Sequence, residues 1–438
     1  MPEKVQTIMI VGGGFAGVTL ARRLERALPP ETEVVVVSTE NHLVFTPMLP
    51  EVVGRTISPL DVVVAGRTMT RRTKWLEARV NRIDRERSEA HYVRRDGTTA
   101  SMRYTHLVFA CGVEADLAEI PGLASRGHAL KTVEDAIDIG DHLIGRFELA
   151  ASEEDSSMRQ RLLTVVVVGG GFSGVEVAGH IADLMRRIRK FYPEIKNEAP
   201  RVVLLHKGER LLPELTHASL SAFALKKLRK NRIDVRLKAA AERVTSAAVH
   251  LASGERIETE MIVCTVGTTA SGLIKGLGLP LEKGRLPTEP EMRVGGSSNL
   301  WALGDCSLIP NGYNRHPCPA TAQFAIEQAR QLAENLIHVA QGRPPRPFRF
   351  RPRGMFASIG HRNAVAEIYG FKLSGFVAWF LWRGLYLAKL PTFSRKLAVA
   401  AGWASAIPFP PNIVQLRPAP KQPSDAAAGR PKLAEGTS

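Results

Sequence analysis

Two glycine-rich loops, each following a run of β-branched residues, constrain this chain more than any other feature. The first reads Ile8-Met9-Ile10-Val11-Gly12-Gly13-Gly14-Phe15-Ala16-Gly17, and the second Val165-Val166-Val167-Val168-Gly169-Gly170-Gly171-Phe172-Ser173-Gly174. Each predicts a buried strand, a tight turn and the start of a helix. In such a G-x-G-x-x-G turn the first glycine permits the turn and the second admits backbone close to a pyrophosphate. The third lets the helix lie against the strand. Gly12, Gly14 and Gly17 fill these roles in the first loop, and Gly169, Gly171 and Gly174 in the second. The helix start adds unpaired N–H groups and a positive dipole end. One such string is a weak signal. Two, both in a strand-to-helix context, imply two dinucleotide ligands and electron transfer between them.

The 438 residues exceed what one core organises, so several domains are expected. The predicted class is α/β, with the loop unit duplicated. Val5–Val11 is a strand, with a helix to about Leu28 and a second strand at Glu33–Ser38. Leu163–Val168, a helix to about Arg189 and Val202–Leu205 repeat that pattern. Val80–Arg103 reads as strands with an Asp96-Gly97 hairpin turn. Tyr104–Ala110 is an apolar strand ending in Cys111-Gly112, and Val235–Ile257 with Met261–Val266 echoes the layout. A Gly304-Asp305 turn precedes a helix from about Thr321 to Val339. The Pro- and Arg-rich run Gly342–Pro352 reads as a linker, residues 353–416 as an aromatic-rich third segment, and 417–438 as a disordered tail.

Hydrophobic residues at 44% and charged ones at 23% are ordinary for a globular protein. Cys111, Cys264, Cys306 and Cys318 form no C-x-x-C pair and match no zinc spacing, so a reducing compartment is expected and no metal. No charged-then-apolar leader precedes the first strand, so no signal peptide is expected. The net charge of +16 points to nucleic acid or an anionic membrane. It concentrates between Arg343 and Lys396, with eleven Lys/Arg against one acid, Glu367. Aliphatic residues fill the gaps between the aromatics there, which favours a membrane surface over nucleic acid.

The ribose positions differ between the loops. Glu40 stands 23 residues after Gly17, near the usual place for an acid that grips a ribose. The second strand ends in His206-Lys207, which suits a 2′-phosphate or is simply a solvated turn.

Taken in order, these strings resemble the type II NADH dehydrogenases, the single-subunit NADH:quinone oxidoreductases. The likeness covers about residues 5–416. It rests on the two loops, Asn41–Pro50 with its Phe45-Thr46-Pro47, and Leu300–Cys306. Pro319-Ala320-Thr321-Ala322-Gln323 and Gly375–Pro391 complete it. The resemblance implies FAD on Gly12, Gly13, Gly14, Phe15, Ala16 and Gly17. Glu40, Thr46, Pro47, Val80, Cys111, Gly112, Gly304, Asp305, Ala322 and Gln323 complete that site. It implies NADH, with NADPH open, on Gly169, Gly171, Phe172, Ser173, Gly174, Glu176, His206 and Gly267. Glu176 would position the nicotinamide or relay protons toward the quinone, or else simply complement its helix start. The implied catalytic residues are Glu176, Gln323 and Glu327. The last stands where many members carry a second glutamine, which here is one place late, at Gln328. The implied layout is an FAD domain in two parts (1–115 and 286–345), an NAD(P)H domain (116–285) and a C-terminal membrane-associating or dimerising segment (346–416). The implied partners are a quinone, an anionic membrane on its cytoplasmic face, and a second copy of the chain.

The longest charge-free apolar run in the third segment, Leu373–Trp382, has ten residues, half of what spanning needs. An interfacial anchor is expected, with Trp379, Phe380, Trp382, Tyr386 and Leu387 in the headgroup boundary and Arg383 and Lys389 on phosphates. Packing of these helices in a dimer or on the flavin domain is the alternative. Two other readings stay open: a sulfide:quinone oxidoreductase, which needs a cysteine pair that the sequence does not make obvious, and a flavin-binding regulatory protein of low turnover.

Overall fold

The computed structural model describes residues 6–415, so Val5 and the tail expectation at 417–438 lie outside the described residues. The two duplicated units each build a parallel sheet. In the first, Thr7–Val11 lies between Glu33–Ser38 and His106–Phe109, with Leu300–Ala302 beyond the latter and Lys74–Asp84 beyond the former, all parallel. Glu89–Arg94 and Thr99–Arg103 extend this sheet as an antiparallel hairpin, whose turn holds Gly97 at φ +84°. In the second, Thr164–Val168 lies between Arg201–His206 and Met261–Cys264, flanked by Ile233–Leu237 and Gly127–Ala129, again all parallel. The valine runs are continuous because both faces of each sheet are covered. Val34 and Val36 face a core shared with helices Phe15–Ala27 and Ala322–Ala340, while Val35 and Val37 face another.

The two units meet where Glu114–Ala115 pairs antiparallel with Thr268–Thr269. Gly267, at φ +74°, sits at this crossing: a Cβ there would lie 2.6 Å from the Glu119 carboxylate.

The third segment differs from expectation. It begins with a three-stranded antiparallel sheet, Gly354–Gly360, Asn363–Ile368 and Phe371–Gly375, followed by helices Phe376–Lys389 and Phe393–Ser405. The sheet packs on helix Phe172–Ile188 so closely that a Cβ at Gly179 would lie 2.5 Å from the Ile359 carbonyl oxygen. The Gly342–Pro352 stretch has no regular structure, yet it is strapped down rather than a free linker. Phe348 is buried, and its N–H donates to the Pro290 carbonyl at 2.8 Å.

No described helix is long and apolar enough to cross a membrane. The two C-terminal helices are instead two-faced. Ala378, Trp382, Leu390, Val399 and Trp403 enter the main core. Phe376, Val377, Phe380, Leu381, Phe393 and Leu397 are exposed. The expectation of Trp379, Trp382, Tyr386 and Leu387 in a headgroup boundary is therefore corrected: Trp382 is fully buried, while Trp379, Tyr386 and Leu387 pack against the same core. Arg383 does not face outward either, for the reason given next.

Candidate functional site

The first glycine loop turns at Gly12, φ +115°, where a Cβ would fall 2.3 Å from the Ala110 carbonyl oxygen. Gly17 is bound as tightly, its would-be Cβ 1.9 Å from the Gly12 carbonyl oxygen, so only hydrogen fits. Gly14 is the opposite case: a Cβ there meets nothing within 4 Å, so the backbone opens onto free space. The helix begins at Phe15 without a side-chain cap, which leaves its first-turn N–H groups directed at that space. The second loop repeats this geometry, with Gly169 at φ +119° and Gly174 against Gly169. Its helix starts uncapped at Phe172, followed by Ser173. Here the space is partly taken: the Glu214 Oε1 lies 2.9 Å from a would-be Cβ at Gly171. Burial pushes the Glu214 carboxyl up. Nothing in the sequence pattern singled out Glu214.

Long-range contacts complete the first site. Gly304, φ +75°, backs onto the first loop, its would-be Cβ 3.3 Å from the Ala16 Cβ. The buried Gln328 amide oxygen accepts the Gly304 N–H at 2.8 Å and so fixes the turn. That is where the displaced second glutamine went. Asp305 is half-buried, burial raises its carboxyl, and among the described residues its carboxyl oxygens have no hydrogen-bond partner. A desolvated acid left unpaired beside an open, uncapped glycine loop fits a hydroxyl-rich ligand that donates to it. The residues present therefore suit a dinucleotide.

Thr321 caps its helix only at Phe324, which leaves the N–H groups of Ala322 and Gln323 unbonded to side chains. Glu327 pairs with Arg330 at 2.8 Å and Arg353 at 3.5 Å. Phe45 is buried edge-on between Phe15 at 5.6 Å and Tyr386 at 6.1 Å, and it delivers Thr46, exposed, and Pro47. Glu40 is exposed, within ligand-sharing distance of His42 and Glu134. Val80 is a core residue between Val11, Val37 and Tyr92, so any ligand contact from it is made by backbone.

Two positions read differently in space. The Cys306 thiol donates to the Phe109 and Leu303 carbonyls, and the nearby Cys111 thiol, with burial, pushes it well up. The sequence made no pair obvious because the two lie on separate strand ends brought side by side by the first sheet. Cys111 also lies 3.7 Å from Ser271, and Gly112 follows at φ +65°. The His206 Nδ1 accepts the Gly170 N–H at 3.2 Å, and burial then Lys207 push the imidazole down. His206 is thus neutral and turned onto the loop, so it is not a cation waiting for a 2′-phosphate.

Glu176 lies in the second turn of the second loop's helix and is buried. Its Oε1 accepts the N–H of Ser358 at 2.9 Å, a donor supplied by the third segment. Burial pushes the carboxyl up to about 8, with the charge of Glu51 adding to the shift. Glu51, buried, follows the Phe45–Met48 turn. It accepts the Trp403 indole N–H at 2.7 Å and pairs with Arg383 at 3.6 Å. Burial raises it to about 6 against the opposing pull of Arg383. The Arg383 guanidinium is held between the rings of Trp379 and Trp403, 4.2 and 4.4 Å from their centroids. Two ring faces and a buried carboxylate offset the hydration that Arg383 gives up by facing inward. Tyr386 is half-buried within the field of Glu176, and burial pushes its hydroxyl up.

Comparison with known proteins bears on what this arrangement serves. Residues 6–329 match the family model described as pyridine nucleotide-disulphide oxidoreductase, and residues 353–409 match the NDH2 C-terminal domain. The chain is 30% identical to the type II NADH:quinone oxidoreductase NdhA of Mycobacterium tuberculosis, over 90% of this chain and 86% of that one. It is also 30% identical to the demethylphylloquinone reductase NdbB of a Synechocystis species, over 92% and 96%. Its fold is similar to that of Plasmodium falciparum NDH2, with a TM-score of 0.86 at 19% identity, covering 94% of this chain and 100% of that one. The sulfide:quinone oxidoreductase of Aquifex aeolicus is a more distant likeness, with a TM-score of 0.68 at 14% identity over 91% and 92%.

Proposed function

The chain belongs to the pyridine nucleotide-disulphide oxidoreductases and, within them, to the type II NADH:quinone oxidoreductases, and on that premise we propose how its residues divide the work. It is an FAD-dependent enzyme that oxidises NADH and reduces a quinone. FAD supplies the two-electron carrier between the two substrates.

Gly12–Gly17 with the helix start at Phe15 hold the FAD pyrophosphate, Asp305 accepts from its hydroxyls, and Thr46-Pro47, Ala322 and Gln323 border its ring. Gly169–Gly174 hold the NADH pyrophosphate, and Glu214 swings aside for it. Lys207 alone is a poor 2′-phosphate site, which supports NADH over NADPH. The unpartnered Asp305 carboxyl, next to the Gly304 turn that backs onto the first loop, carries this reading.

Reducing a quinone to a quinol takes two protons as well as two electrons. Glu176 is protonated at neutral pH. Its Oε1 accepts the Ser358 N–H, which leaves Oε2 as the atom that bears the proton. It stands ready as a proton donor next to the dinucleotide site, with Tyr386 beside it. Glu327, flanked by Arg330 and Arg353, lies one turn on from Gln323 toward Lys389 and guides the quinone head.

Sheet membership supports a division in which residues up to 115 with 286–345 carry FAD, 116–285 carry NADH, and the stretch from 346 forms the third part. We read the exposed apolar faces of Phe376–Lys389 and Phe393–Ser405 as a peripheral attachment to the cytoplasmic side of the membrane, where the quinone resides. A homodimer is expected on the likeness alone.

Purified protein should show flavin absorbance and reduce a short-chain quinone with NADH faster than with NADPH. A preparation that binds no flavin would refute the site assignment. Turnover with NADPH equal to that with NADH would refute the role given to His206.

A further inference from the structure

The cations assigned to the membrane from sequence were Arg383 and Lys389, and the first of these is locked inside. A different set of cations lies at the edge of the apolar helices. Arg22 and Arg26, one turn apart on helix Phe15–Ala27, line a cleft of about 520 Å³ together with Arg71, Arg72 and the Pro391-Thr392 turn between the two C-terminal helices. The acid within this cleft does not neutralise it by pairing. Both Glu25 oxygens are taken by the backbone N–H groups of Arg71, Arg72 and Thr73 and by the Thr73 hydroxyl. Arg72 is likewise committed, donating to the Glu25 and Leu28 carbonyls.

Arg22, Arg26 and Arg71 remain. Among the described residues none has an ion pair, and the buried Nε of Arg22 has no hydrogen-bond partner. Three arginines without an ion-pair partner line one cleft, one of them with a desolvated N–H left over, which suits an anion with several oxygens. A phosphate accepts from such forks in bidentate fashion.

What borders the cleft identifies the anion's carrier. Phe393, next to Thr392, is 80% exposed, and Leu397 follows at 63%. Phe376, Val377 and Phe380 extend the apolar surface on the preceding helix. Aliphatic and aromatic side chains standing free beside a cationic cleft match a bilayer boundary, where acyl chains and headgroups meet. We propose that Arg22, Arg26 and Arg71 form a binding site for the headgroup phosphate of an anionic phospholipid, seated where the C-terminal helices meet the membrane. This rests on the membrane reading above and adds to it a lipid preference and the residues that set it.

The test is co-sedimentation of the full-length protein with vesicles of phosphatidylcholine alone and of phosphatidylcholine containing phosphatidylglycerol. Retained visible flavin absorption checks that each variant is folded. The wild type should prefer the anionic vesicles. The triple variant Arg22→Gln, Arg26→Gln, Arg71→Gln should lose roughly a hundredfold of that affinity, at about fivefold per charge. Its binding to neutral vesicles should be unchanged. A control with the same charge change elsewhere, Arg103→Gln, Arg126→Gln, Lys230→Gln, at exposed positions, should keep the preference. Phe380→Ser with Phe393→Ser should weaken binding to both vesicle types. A triple variant that keeps the wild-type preference, or a control that loses as much, overturns the cleft while leaving the attachment standing. Wild type that binds no vesicle overturns both.

Discussion

Replacing Glu176 by Gln tests the most consequential charge in the protein. The folded carboxyl titrates near 8 against 4.5 unperturbed, because burial disfavours its ionised form. Between those values the folded protein holds a proton that the open chain has released, so stability falls as pH rises through the window. At about 1.4 kcal/mol per pH unit, the loss reaches roughly 3 kcal/mol by pH 7. Gln cannot ionise, keeps an oxygen for the Ser358 N–H, and removes the slope. The opening that exposes Glu176 is separation of strand Gly354–Gly360 from helix Phe172–Ile188, and amide hydrogen exchange reads that event directly. Near pH 4.5 the strand should exchange equally in both proteins. At pH 7 the variant should be protected about a hundredfold more. Equal protection at pH 7, or a gap that ignores pH, would show that Glu176 is ionised in the fold and is no proton donor. The same variant should lose quinone turnover while NADH still bleaches its flavin.

Arg383→Met should free the C-terminal helices to proteolysis, costing on the order of 3–5 kcal/mol for stranding Glu51. Arg383→Met with Glu51→Gln should recover much of that loss, and unchanged digestion in the single variant would refute the clamp. Gly17→Ala places a Cβ 1.9 Å from the Gly12 carbonyl, so the purified variant should lack flavin absorbance. Cys111→Ser with Cys306→Ser should retain NADH:quinone activity, although the two thiols influence each other's titration. Activity abolished by that change would favour sulfide chemistry instead.

Both loops were legible because each is local: an apolar strand, three glycines and a helix follow one another in Thr7–Ala27 and again in Thr164–Ile188. Asp305 and Gln323 were legible only through the resemblance, since nothing local ties either to the first loop. The antiparallel sheet at 354–375 was missed because its strands do not alternate: Ala357–Gly360 and Ala364–Ala366 are buried on both faces. Arg383 was assigned outward because its partners, Glu51 and Trp403, arrive from elsewhere in the chain. Its charge was visible in the sequence and its desolvation was not. The same holds for Gln328, whose one-place offset looked like a departure from pattern and proves to be the residue that fixes the Gly304 turn.

The two-faced helices at the C-terminus have a practical consequence. The side chains that fill the core there, Ala378, Trp382, Val399 and Trp403, and those that stand free, Phe376, Val377, Phe380, Leu381, Phe393 and Leu397, have no member in common. Detergent demand and folding are therefore separable design variables. A version with polar residues at the six free positions should be purified without surfactant and still carry its flavin, whereas trimming the helices away would strip two tryptophans from the interior.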